Sequence, residues 1–141
     1  MLPHHHNRAQ WLGSGLIIAA VLLTARILTP DPRGLGTHTQ LGLPECPFLH
    51  VTGWPCPTCG LTTCFALLAH GSLRAGVHCH PVGALLFGAS CCLLVFCVYA
   101  AVRDSPFQRT RLRLHAERAC VTLVYALLAQ WLTRIAGMLL G

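Results

Sequence analysis

Val82 to Val102 runs for 21 residues without a charge. A helix rises about 1.5 Å per residue, so this run alone spans the roughly 30 Å hydrocarbon core of a bilayer. Two further runs approach the same length. Trp11 to Leu28 carries no charge until Arg26, and Ala119 to Leu140 is interrupted only by Arg134. Composition agrees with the runs. Apolar residues make up 54% of the chain and charged residues 10%, against about 25% charged in a soluble domain. The pattern predicts an all-α integral membrane protein, one domain over residues 1–141, with spans at 11–28, 82–102 and 119–140.

The first run also invites reading as a cleaved signal peptide, since it has a basic start and an apolar body. No small-x-small cleavage site follows it cleanly, which favours a retained span. His4, His5 and His6 precede it and read as a polar tail rather than a metal site or a cloning scar.

The net charge of +6 raises nucleic acid as a partner. However, all ten basic residues are Arg, and five of them, Arg103, Arg109, Arg111, Arg113 and Arg118, crowd the link between the second and third runs. Bases beside a span set orientation and meet anionic lipid, so the expected partner is the lipid bilayer and not nucleic acid. Only Asp104 and Glu117 oppose them there. That link is therefore predicted to be cytoplasmic, with Arg8 and the N-terminus on the same side and the 29–81 loop outside.

Nine cysteines fall into two groups. Cys91, Cys92, Cys97 and Cys120 lie in apolar runs, where Cys behaves as a small hydrophobe. Cys46, Cys56, Cys59, Cys64 and Cys79 lie in or beside a loop rich in Pro, Gly and His, and only this group suits chemistry. Thr29 to Pro44 is predicted to be irregular. Gly60 to His70 is predicted to form a short interfacial helix, capped by Thr62 or Thr63 and ended by Gly71. Ser72 to His80 reads as another turn, and Pro81 opens the second span.

Cys56-Pro57-Thr58-Cys59-Gly60 has the form of a metal knuckle, two sulfurs able to share one ion about 2.3 Å away. Four ligands are needed for a structural zinc. Cys46 and His50 are the candidate second pair, His80 joins them as a further candidate ligand, and Cys64, His78 and Cys79 stand in reserve. Redox chemistry is the rival, with Cys59 as the activated thiolate because it precedes a helix N-terminus. A disulfide from Cys46 to Cys56 or Cys59, stapling a loop without a core of its own, is the plainest reading. Nothing matches a Ser-His-Asp triad, a phosphate loop or a carboxylate pair, and the chain has only four acidic residues. Arg26 and Arg134 each sit fifteen residues into an outward-running span. Snorkelling to headgroups accounts for both; the sharper alternative is that they flank the loop and bind an anion or its carbonyls.

The order Cys46-Pro47-Phe48, Thr52-Gly53, Cys56-Pro57-x-Cys59-Gly60-Leu61-Thr62, Leu67-Leu68, Gly71, Ala75 and Pro81 resembles domain-of-unknown-function family 2752, small bacterial membrane proteins. The likeness covers Cys46 to Pro81 and continues weakly into the second span. The chain departs from the family pattern at Thr58 (usually Gly), Thr63 (usually Arg) and His80 (usually Asn). The resemblance implies a bacterial inner-membrane location and no established activity.

The expected role is non-enzymatic, a small accessory or scaffold subunit with a structural cysteine loop and a membrane protein partner. The alternatives are a membrane thiol-disulfide oxidoreductase using Cys56 and Cys59, or a metal-binding membrane protein with zinc as the candidate ion. Orientation is open to test. After reduction of intact cells, an impermeant thiol reagent is expected to label a loop cysteine; labelling only after lysis reverses the topology.

Overall fold

In a computed structural model the described residues are 4–103 and 109–140, with backbone alone for 4–7 and 109–117. The side chains of His4, His5, His6, Asp104, Arg109, Arg111, Arg113, His115 and Glu117 thus lie outside the described residues. Among the described residues the chain is all helical. Its helices are α1 (His4–Ile27), α2 (Pro47–Thr52), α3 (Leu61–Ala69), α4 (Leu73–Cys79), α5 (Pro81–Val102) and α6 (Arg109–Leu140), with a 3-10 turn at Thr37–Leu41. Three stretches, Arg8–Ile27, Pro81–Val102 and Arg118–Leu140, are long and apolar enough to cross a membrane. They coincide with the expected spans to within a few residues.

Small residues let α1 and α5 approach closely, as membrane helices commonly do. A Cβ on Gly15 would sit 3.4 Å from the Cβ of Cys97. Trp11, Cys97, Ala100 and Ala101 form a buried cluster with Ile18 against it, and Trp11 meets Phe96 edge-on at 5.5 Å. Cys97 is therefore packing material, as its apolar setting implied. α3 lies against α1, α4, α5 and the 3-10 turn, with Phe65 edge-on to Phe87 at 5.3 Å.

The start of α3 differs from expectation. Neither Thr62 nor Thr63 caps it. Gly60 occupies the N-cap in the left-handed region, φ +93°, and its carbonyl accepts from the Cys64 amide at 2.8 Å. Thr63 is instead fully buried, its hydroxyl 2.8 Å from that of Thr37, which also accepts from the Asp31 amide at 3.0 Å. This contact joins the irregular 29–44 segment to α3. The far end behaves as Gly71 predicted: at φ +83° it donates to Leu68 and Ser72 donates to Leu67, closing the helix with a paired C-terminal turn. The 72–80 turn is a short helix, α4. It packs so tightly on α3 that a Cβ on Gly76 would come within 2.7 Å of Leu68.

α2 has no counterpart in the sequence reading. Pro47 at its first turn needs no hydrogen-bond acceptor, Cys46 is its N-cap, and Gly53 closes it at φ +72°. The Cys46 side chain makes no cap hydrogen bond, which leaves its thiol to face elsewhere.

Gly60 and Gly42 separate two costs of a side chain. Both have positive φ, but a Cβ on Gly60 would meet the Gly34 carbonyl oxygen at 2.9 Å, whereas Gly42 faces open space. The left-handed conformation costs an L-residue about 1–2 kcal/mol. Gly42→Ala is expected to lose about that much and Gly60→Ala clearly more, measured as thermal unfolding in detergent. Equal losses would remove the steric role assigned to Gly60.

Candidate functional site: a three-thiol cluster

The Cys56–Cys59 segment folds as a tight turn because its own amides close it. Cys59 donates to the Cys56 carbonyl at 3.0 Å and Leu61 to that of Thr58 at 3.1 Å. The turn sets the two thiols side by side, the Cys56 and Cys59 sulfurs 3.2 Å apart and hydrogen-bonded. Cys46 arrives from the N-terminus of α2. The sulfurs of Cys46, Cys56 and Cys59 all lie within 4.8 Å of one another. Around a tetrahedral zinc with bonds of about 2.3 Å, sulfurs stand about 3.8 Å apart, so small movements reach that spacing.

The two knuckle thiols differ sharply. Burial pushes Cys56 up, but hydrogen bonds with Thr58, Cys59 and Cys46 outweigh it and bring the thiol down to about 7. The Thr58 hydroxyl lies 3.3 Å from the Cys56 sulfur. Burial, with the hydrogen bonds to Cys56 and Cys46, pushes Cys59 up to about 12. This reverses the expectation that Cys59, next to the helix, would carry the thiolate. Proximity to α3 is outweighed because Cys59 is buried, while Thr58 hydrogen-bonds to Cys56 and favours its thiolate.

Other candidate ligands stand apart from the cluster. His50 is exposed on α2, and its contribution here is a backbone bond to the Cys46 carbonyl at 3.0 Å. His80 is fully buried and both ring nitrogens are engaged. Nδ1 accepts from the Gly83 amide at 2.9 Å, capping α5, so the proton sits on Nε2, which donates to the Pro57 carbonyl at 3.2 Å. Burial, opposed by the Pro57 carbonyl and aided by Arg134, lowers its pKa and keeps the ring neutral. The reserve thiols are similarly engaged with backbone. Cys64 donates to the His80 carbonyl at 3.4 Å, and Cys79 to Gly34 and Gly60 at 3.3 and 3.5 Å. Burial pushes Cys64 up to about 11, with Cys79 adding to it, and burial raises Cys79 as well. His78 is exposed.

The knuckle is held from outside by three side chains. Pro55 and Pro57 have no amide hydrogen, so this segment is poor in donors for its own carbonyls. Trp131 donates to the Pro55 carbonyl at 2.7 Å, His80 to Pro57, and Arg134 to Cys59 at 2.9 Å. Arg134 thus binds a loop carbonyl, the sharper of its two readings, while Arg26 is exposed on α1. Gln130 adds a bond from the Val82 amide at 2.9 Å, and Trp131 meets Phe48 of α2 edge-on at 6.2 Å. The sequence reading missed Gln130, Trp131 and Thr37. A Gln and an Arg four residues apart within an apolar run were the available signal, since polar groups there usually have a partner.

With this geometry in view, the comparison with known families bears on the same segment. Residues 46–101 match the family described as protein of unknown function (DUF2752). The match starts at the first clustered cysteine and ends within α5, supporting the resemblance drawn from the motif. No curated protein and no solved structure matches the chain.

The clamp can be tested without touching a cysteine. Trp131→Phe keeps most of the ring but orphans the Pro55 carbonyl, a loss of about 1–3 kcal/mol. A lower unfolding temperature and faster thiol labelling of Cys56 are expected. Unchanged values for both would mean the bond does not hold the knuckle.

Proposed function

We propose that this is a small, non-enzymatic membrane protein whose cysteine loop is organised by a thiophilic metal ion held by Cys46, Cys56 and Cys59. It resides in a bacterial inner membrane with the loop on the outer face, and acts as an accessory or scaffold subunit for another membrane protein. One observation carries the metal reading, the convergence of three sulfurs from two separate segments within 4.8 Å. A disulfide needs two sulfurs, and a third within 4.8 Å of both is what an ion requires. Thiolates suit zinc and softer ions such as copper(I). When bound, the ion would cross-link α2 to the knuckle, in place of the staple that the loop needs. His50 and His80 play no part in this set, since one is exposed and the other is fully hydrogen-bonded.

Thiol-disulfide exchange is the second reading, favoured by the 3.2 Å approach of the Cys56 and Cys59 sulfurs. In that step the Cys56 thiolate attacks a partner disulfide, forming a mixed disulfide and releasing a partner thiolate. Cys59 then resolves it, so this pair is oxidised while the partner is reduced to a dithiol. Cys46 is not needed.

That difference gives the test. Metal analysis and thiol counting are done on detergent-purified protein and on Cys46→Ser, Cys56→Ser and Cys59→Ser. About one ion per chain, lost in all three variants together with lower membrane abundance, is the expected result. An ion-free protein lacking two titratable thiols, with a mixed-disulfide adduct trapped by only one of the knuckle variants, would establish exchange instead.

A further inference from the structure

The three sulfurs also form part of the wall of a cavity of about 500 Å³. Water occupies about 30 Å³ in the liquid, so the space admits far more than one solvent molecule. A zinc-class ion takes four donors in a structural site and keeps one position open in a reactive one. Here the group in which every donor lies near every other contains three sulfurs among the described residues. The obvious fourth donors are occupied or absent from it. His80 spends both nitrogens on backbone, and Cys64 and Cys79 give their protons to carbonyls. His38 and Glu45 line the cavity but are not in the group, and His38 Nε2 lies 3.2 Å from the Pro44 carbonyl.

Leu35, Leu43, Leu49 and Leu61 also line the cavity, with Arg33 as its cation, and the lining is mainly apolar. An apolar wall beside a soft ion favours a soft donor on an apolar stem over a strongly hydrated oxyanion. Resting on the metal reading above, we infer that the fourth position opens into this cavity and receives a thiolate from a cysteine-bearing partner. The step is ligand association without redox change: the incoming thiol yields its proton to solvent as the sulfur–metal bond forms, displacing a bound water.

X-ray absorption on the zinc-loaded full chain in detergent tests this, with N-acetylcysteine as the probe. About three sulfurs and one lighter donor are expected at first, rising to about four sulfurs on saturation with the probe. Leu43→Trp, which adds bulk to the cavity wall without removing a ligand, is expected to keep the ion and weaken the probe at least about tenfold. Four protein donors from the outset, with no response to the thiol, would overturn the open position while leaving the metal reading intact. An unchanged probe affinity in Leu43→Trp would overturn the cavity as its route. A chain that binds no zinc removes both readings together.

Discussion

Alternate carbonyls of the knuckle, those of Pro55, Pro57 and Cys59, are each taken by a side chain from a distant part of the chain. The rest of the site depends on this. Two prolines in five residues deprive the turn of donors, and a buried carbonyl left unpaired costs about 1–3 kcal/mol. Trp131 and Arg134 come from a helix of membrane-spanning length, and His80 from the cap of another. The thiol geometry is therefore inherited from the association of α5 and α6. Among the described elements α6 lies against α5 and meets α2 through Trp131 on Phe48, so its bonds to the knuckle also help to fix its own position.

Two buried polar side chains show how this segment is held. His80 caps α5: its Nδ1 accepts from the N3 amide, a bond that an Asn side chain also makes. The imidazole adds a second bond, to Pro57, beyond the cap. The Thr63 hydroxyl is paired with that of Thr37 in a fully buried contact. A guanidinium could not be accommodated there without charge compensation, because burial of an unpaired cation is prohibitive.

The three long helices, the stop at Gly71 and the opening of α5 at Pro81 were legible because each rests on local chemistry: run length, a left-handed glycine, a proline at a first turn. The convergence of Cys46 with the knuckle was legible only as a possibility of spacing. α2 was not, since Pro47–Thr52 is too short to show a helical period. The Thr37–Thr63 bond joins residues 26 apart, and no local rule announces it. Trp131 escaped notice because a Trp inside an apolar run already reads as part of the span, and the run does not show which carbonyl its indole reaches. Cys59 was read as the lower thiol for a related reason: the dipole of α3 is visible in sequence, while the burial that pushes Cys59 up is not.

The cluster is unevenly supported, and this bears on what an ion would do there. Cys56 and Cys59 sit in a turn closed by its own amides and pinned through three carbonyls. Cys46 sits at the start of a helix that buries none of its residues. Phe48 on Trp131 is an edge contact of the kind worth about 0.5–1.5 kcal/mol, and a helix of six residues has little stability of its own. An ion bound by all three sulfurs would thus act on a rigid pair and a loosely held third. Much of its binding free energy would go into ordering α2, in the manner of sites whose metal affinity is also folding energy. Release of the Cys46 thiolate would then be the easiest way to open the coordination sphere.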